Sequence, residues 1–193
     1  MAIHGSQTEK NLLAAFAGES QARNRYTLFA KKAREEKIEY AARIFESTAM
    51  NELAHAKRFF SFLEGYPVQI TATYPAGKIG TTLENTLAAI DGENEEATSL
   101  YPAFADMARQ EGFNDVAYVF EKIVEVEKQH RDRFIYLKEY MPNLILPGNY
   151  NAWLCLNCGF VWTGPKPPVT CPVCLEDSTY FVPYTGHLGM IPI

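Results

Sequence analysis

Acidic residues stand where a helical bundle needs hydrocarbon. In the segment 39–63, Phe45, Thr48, Glu52, His55, Phe59 and Phe62 recur at steps of three and four, which places them on one helical face. From Asn114 onward, Phe120, Ile123, Glu127, His130, Phe134 and Leu137 do the same. Two further helical segments set Glu19 among Leu12, Phe16, Tyr26 and Ala30, and Glu93 and Glu96 among Leu87, Ile90, Leu100 and Phe104. Burying an uncompensated carboxylate costs several kcal/mol. The lysines and arginines lie mostly off these faces, with Arg23 as the candidate exception. Two divalent ions supply +4 and two trivalent ions +6 against the −5 of Glu19, Glu52, Glu93, Glu96 and Glu127. That balance favours a dinuclear metal centre inside a helical bundle.

The spacing agrees. Residues i and i+3 share a helix face, so one Glu-x-x-His offers both groups to one site. The motif occurs as Glu52/His55 and again, 75 residues later, as Glu127/His130. One copy alone says little. Two copies in apolar phase, with a glutamate on each of two other helices, form the ligand set of di-iron or di-manganese carboxylate bundles. Tyr26 lies seven residues after Glu19 on the same face. Its hydroxyl needs a partner when buried, and a carboxylate is near. His4 and His187 are solitary and near the termini, and read as surface residues. Glu35, Glu36, Glu39, Glu84 and Glu95 read as charges on solvated faces.

Four helices follow from the pattern: about Thr8 to Glu36 with Thr8 as N-cap, about Glu39 to Leu63, about Thr81 or Thr82 to Gly112, and Asn114 to just before Pro142. Pro102 predicts a kink or irregularity within the third. Two close pairs joined by the long extended stretch 66–80 is the connectivity of a ferritin-like four-helix bundle. The bundle is internally duplicated. At an offset of 75, Tyr26 matches Tyr101, Arg34 matches Arg109, Phe45 matches Phe120 and Phe59 matches Phe134. Gly18-Glu19 matches Gly92-Glu93 at 74 instead. The third helix therefore carries one extra residue between about 93 and 97, which we expect to be absorbed as a π-bulge.

The bundle is expected over residues 1–145, and a second unit over 146–193, where Pro, Gly and aromatic residues replace the helical period. So short a unit needs a metal or disulfides to fold. Cys155, Cys158, Cys171 and Cys174 form two Cys-x-x-Cys pairs, and they are all the cysteines of the chain. This is a four-thiolate metal signature, suited to a structural zinc or to a single iron that carries one electron. A net charge of −5 argues against a broad nucleic-acid surface. No run of apolar residues is long enough for a membrane span, and no secretory signal opens the chain, so the cytoplasm is the expected location.

The stretches "AFAGESQARNRY", "ELAHAKRFFSFLEG", "YPAFADMARQEG" and "CLNCGF…CPVC" resemble the rubrerythrin family along essentially the whole chain. The resemblance implies a di-iron bundle joined to a rubredoxin-like module with iron on its four cysteines. It implies that Glu52 and Glu127 bridge two non-haem irons, that Glu19 and Glu93 are terminal ligands, and that His130 binds one iron. His55 or Glu96 would hold the other iron, exchanging as its oxidation state changes. Gln21 stands where the first repeat would have a counterpart of Glu96. Tyr26 and Tyr101 would hydrogen-bond ligand carboxylates. The implied activity is reduction of hydrogen peroxide to water in oxidative-stress defence. Its electrons would come from a donor protein, a rubredoxin or an NAD(P)H-dependent reductase. A head-to-tail homodimer would bring each module next to the partner's bundle site. Iron oxidation and storage, and a zinc-ribbon module on a vestigial site, are the competing readings.

Overall fold

The computed structural model describes residues 2–145 and 151–184, with side chains for all but 142–145 of these. His187 lies outside the described residues. The bundle is built from α1 (Gln7–Glu35), α2 (Glu39–Phe60), α3 (Thr82–Glu95), a π turn (Glu96–Leu100), α4 (Tyr101–Gln110) and α5 (Asn114–Ile145). α3, the π turn and α4 form one continuous rod, so four rods make two hairpins, α1 with α2 and α3/α4 with α5. The crossover between them runs extended along α1, where the Tyr74 hydroxyl donates to the Ala14 carbonyl at 2.7 Å.

Burial follows the duplication. On α1 the buried positions include Thr8, Leu12, Ala15, Glu19, Ala22, Tyr26, Ala30 and Ala33. On the third rod they are Thr82, Thr86, Ala89 and Glu93, then Ala97, Tyr101, Ala105 and Ala108. The offset is 74 up to Glu93 and 75 from Ala97 onward. The Tyr101 backbone N–H donates to the Glu96 carbonyl, five residues back, so the extra residue is taken up in the π turn. Glu19 and Tyr26 are seven residues apart, close to two helical turns, whereas Glu93 and Tyr101 are eight apart. Without the widened turn the last two would point about 80° from one another. Pro102 sits just past the π turn at the start of α4, where its missing N–H interrupts little.

Several sequence expectations change. Ser6, not Thr8, caps α1, its hydroxyl accepting from the Glu9 N–H. Thr8 instead lies in the first turn, and its N–H and hydroxyl both donate to the Glu111 carboxylate, at 2.7 and 2.6 Å. α2 ends at Phe60, three residues early, in a turn in which the Phe62 and Leu63 N–H groups reach back to Phe59 and Phe60. α5 continues through Pro142 to Ile145, because proline near the end of a long helix removes only one rung. Leu87 is 43% exposed, since the core stripe of α3 runs through small and polar residues and apolar counting picks the wrong face. Arg23 is exposed. Glu39 is buried, not solvated, and both Arg34 and Arg43 donate to it.

The second unit is a three-stranded antiparallel sheet in the order β2-β1-β3, from β1 (Ala152–Cys155), β2 (Val161–Thr163) and β3 (Phe181–Pro183). Val182, Leu154 and Leu156 pack into the bundle cluster that contains Ile38, Tyr40, Ala41 and Met141. Arg43 ties the units together. Its guanidinium donates to the Leu156 carbonyl at 2.8 Å and lies over the Tyr180 ring.

Rod ends are clamped in a repeated way. Glu111, closing α4, accepts from the N–H groups of Gln7 and Thr8 at the start of α1. Glu36, its counterpart at an offset of 75, accepts from the Thr82 N–H at the start of α3. Each puts a carboxylate on the positive end of a helix dipole. Glu111→Ala removes three hydrogen bonds and is expected to destabilise the chain by roughly 1–2 kcal/mol. Glu36→Ala, with fewer bonds to lose, is expected to cost less. Urea unfolding of the two variants checks that order.

Candidate metal centres

α1 contributes Glu19, α2 Glu52 and His55, α3 Glu93, and α5 Glu127 and His130. They converge in two overlapping groups, Glu19/Glu52/His55/Glu127 and Glu52/Glu93/Glu127/His130, each with ligand-type atoms within 4.8 Å of one another. Glu52 and Glu127 belong to both, which is the position of a bridging carboxylate. His55 Nδ1 lies 3.0 Å from Glu127, 3.1 Å from Glu52 and 3.6 Å from Glu19. His130 Nδ1 lies 2.8 Å from Glu127, 3.2 Å from Glu52 and 3.4 Å from Glu93. Glu96, in the π turn, belongs to neither group, although its carboxyl is close enough to feel the charges of Glu19 and Glu93.

The two tyrosines cross between hairpins. Tyr26 of α1 donates to Glu93 Oε1 on α3, and Tyr101 of α4 donates to Glu19 Oε1 on α1, both at 2.5 Å. Each bond occupies one carboxylate oxygen and leaves the other facing the centre. Those facing atoms are orphans. Glu19 Oε2, Glu52 Oε1, Glu93 Oε2, both oxygens of Glu127 and His130 Nδ1 are buried and make no well-aligned hydrogen bond, although the Nδ1 atoms of His55 and His130 lie 2.8–3.6 Å from the carboxylates around them. A native interior rarely leaves one such atom, and here they converge from four elements. Their donor set, carboxylates and imidazoles, suits first-row divalent and trivalent metals. The residues fit two bound ions.

The electrostatics lead the same way. Burial and the Glu52 charge push the Glu93 carboxyl up to about 8. Burial and Glu52 push Glu19 well above the carboxylate range, and burial followed by Glu19 does so for Glu96. Burial alone would raise Glu52 too, but its contacts with His130 and His55 hold it low. Burial disfavours charge on the two histidines, yet the glutamates around them outweigh that and draw protons onto both. Protons on the imidazoles stand in, incompletely, for metal charge.

In the second unit, Cys155 and Cys158 precede β2, and Cys171 and Cys174 sit before the turn to β3. The Sγ atoms of Cys155 and Cys174 are 3.7 Å apart, and those of Cys158 and Cys171 3.6 Å. This is far beyond a disulfide. It matches the roughly 3.8 Å edge of a tetrahedron with metal–sulfur bonds of about 2.3 Å. Each Cys-x-x-Cys is followed by a residue with positive φ, Gly159 at 77° and Leu175 at 65°, whose N–H bonds the carbonyl of the first cysteine in the pair. Glycine takes that conformation freely, and Leu175 takes it at a cost.

Sequence reasoning missed Asn51, whose amide oxygen lies 3.2 Å from His130 Nε2. No motif marks it. Only its place one turn before His55 on a face turned to α5 could have pointed to it.

Comparison with known proteins agrees with this geometry. The rubrerythrin family model matches residues 10–138, and the rubrerythrin rubredoxin-like domain matches 153–182. A rubrerythrin from Porphyromonas gingivalis is 52% identical, covering 94% of this chain and 92% of its own. One from Nitratidesulfovibrio vulgaris is 42% identical over 93% and 95%. A solved structure of fully reduced, all-ferrous nigerythrin superposes with a TM-score of 0.63 at 31% identity, covering 94% of this chain and 91% of its own. With a di-iron carboxylate centre in its bundle and a four-cysteine iron centre in its C-terminal module, the chain belongs to the rubrerythrin family.

Proposed function

We propose that this oxidoreductase reduces hydrogen peroxide to water, with electrons entering through the four-cysteine module. The observation that carries the reading is the pair of carboxylate–histidine groups sharing Glu52 and Glu127. Such sharing would hold two ions together, and two ferrous ions can jointly supply the two electrons that cleaving O–O takes. The reaction balances as peroxide plus two electrons and two protons giving two waters. When bound, the irons supply two-electron reduction and Lewis-acid polarisation in the bundle, and one-electron transfer in the module. Iron storage would not need the appended module.

In this reading Glu19, Glu52, Glu93, Glu127, His55 and His130 hold the bundle irons, and Glu96 exchanges with His55. Tyr26 and Tyr101 keep Glu93 and Glu19 turned inward. His55 is 11% exposed and Glu96 half-buried, whereas the other ligands are sealed, so peroxide enters along the His55–Glu96 edge. Arg43, which anchors the module, precedes His55 by twelve residues, about 18 Å along α2 at 1.5 Å per residue. A head-to-tail homodimer, in which the module of one copy lies beside the bundle site of the other, shortens that path. The external donor is a rubredoxin-type protein or an NAD(P)H-dependent reductase. Among the described residues no helix is long and apolar enough to cross a membrane.

An optical titration tests this directly. Visible thiolate-to-iron bands of the purified protein are expected to bleach with dithionite and return on addition of peroxide. Bands that stay bleached under excess peroxide would refute the coupling of module to bundle. Glu96→Ala is expected to lower peroxide turnover at least about tenfold while iron content holds, since it removes a ligand used in only part of the cycle. Full activity in that variant would overturn the exchangeable-ligand role.

Metal and protons compete for the same atoms. Glu93 has a raised folded-state pKa, so its contribution to the metal-free fold is present below about 4.5 and is lost as pH rises through about 8. The histidines, also raised, lose theirs as pH climbs above their ordinary range. Glu52, held low, acts in the opposite sense at acid pH. The gain in melting temperature on anaerobic ferrous loading is therefore expected to grow between pH 5 and pH 8. A gain independent of pH would mean that these residues are not the ligands.

A further inference from the structure

We propose that Asn51 is a positioning residue that fixes His130 as the permanent histidine ligand, and that Val126, its repeat counterpart, leaves His55 unfixed. The Asn51 amide oxygen can only accept, so the proton between it and His130 belongs to Nε2. A neutral imidazole then presents its lone pair at Nδ1, the atom that faces Glu52, Glu93 and Glu127. One hydrogen bond thus sets both the tautomer and the ring orientation of this ligand. Asn51 can reach across from α2 to α5 because it stands one turn before His55, on the side of α2 turned to the partner helix.

The duplication supplies an internal control. Asn51 corresponds to Val126 at the offset of 75 that also relates Glu52 to Glu127 and His55 to His130. The valine side chain has no acceptor to offer an imidazole. His55 accordingly contacts its glutamates through Nδ1 alone, with no hydrogen-bond partner at Nε2 among the described residues. The two rings lie 5.8 Å apart with their planes at 27°, His55 11% exposed and His130 1%. Glu19, whose charge Glu96 feels most, belongs to the group of His55 and not to that of His130. One amide present and one absent therefore make two symmetry-related histidines mechanically different.

The inference rests on the metal-site reading in taking Nδ1 as the ligand atom, and its test separates the two. The full-length protein is loaded anaerobically with ferrous iron, its iron content is measured, and exchange of the hyperfine-shifted histidine N–H protons is followed by NMR in D2O. The wild type is expected to show one slowly exchanging N–H and one at least about tenfold faster, the worth of a buried hydrogen bond. Asn51→Val is expected to abolish the slow proton, and Asn51→Asp, which keeps an acceptor, to restore it. Val126→Asn is expected to slow the second proton and to reduce peroxide turnover at full iron content. Slow exchange surviving in Asn51→Val with both bundle irons bound would assign the protection to burial and overturn the proposal. Failure to bind bundle iron in the wild type would instead refute the metal-site reading.

Discussion

Everything in the bundle is arranged around the repulsion of carboxylates that have been taken out of water. Glu19, Glu52, Glu93 and Glu127 are each about 1% exposed or less and lie within reach of one another. Charge in such a place is tolerated only when it is compensated and hydrogen-bonded. Tyr26 and Tyr101 satisfy one oxygen of Glu93 and one of Glu19. The remaining lone pairs converge on two points between the helices. The interior is thus an incomplete structure without cations, and metal binding becomes part of folding free energy. The aromatic residues that flank the site on either side, Phe45, Phe134 and Tyr26 at one end and Phe59, Phe120 and Tyr101 at the other, keep water out and keep those lone pairs aimed.

Duplication explains how one chain meets so exacting a demand. Each hairpin supplies a glutamate from its first rod and a Glu-x-x-His from its second, and each tyrosine crosses to the other hairpin's glutamate. The exchange is reciprocal, so neither half completes its site alone. The same offset recurs on the outside. Arg34 pairs with Glu46 and Arg109 with Glu121, and Glu36 and Glu111 clamp the starts of α3 and α1. The surface pairs contribute little each. Their recurrence marks the pseudo-two-fold relation on which the internal geometry depends.

The core of this arrangement was legible in the sequence because buried charge breaks the apolar period, and a broken period that repeats is hard to produce by chance. The change of offset from 75 to 74 likewise located the π turn, since an inserted residue must either rotate the face or be absorbed. What stayed hidden depended on contacts between distant segments. Thr8 looks like a helix cap until Glu111, more than a hundred residues on, takes its N–H and hydroxyl. Glu39 reads as a surface charge until Arg34 and Arg43 enclose it. Leu87 suggests a buried stripe, but the small and polar Thr86 and Ala89 hold the core. Asn51 belongs to no motif, and only its place one turn before His55 hints at the ring that faces it.

Symmetry alone would give two equivalent metal positions, and the proposed exchange of ligand at one of them asks that they differ. The chain introduces the difference at few points. An extra residue opens the third rod into a π turn that carries Glu96, whose carboxyl feels the charge of Glu19 most. Its absence from the first rod leaves Gln21 there, with no acid. On the histidine side, an amide faces His130 and a valine stands at the matching place for His55. Both departures act in the same direction. In the proposed reading they loosen ligation at one position, while the other keeps a sealed imidazole hydrogen-bonded to Asn51. Because Glu52 and Glu127 are common to both groups, the proposed change of ligand would leave the dinuclear frame standing. In the proposed reading the half with the extra carboxylate would rearrange, and the half with the anchored histidine would hold the metals in register.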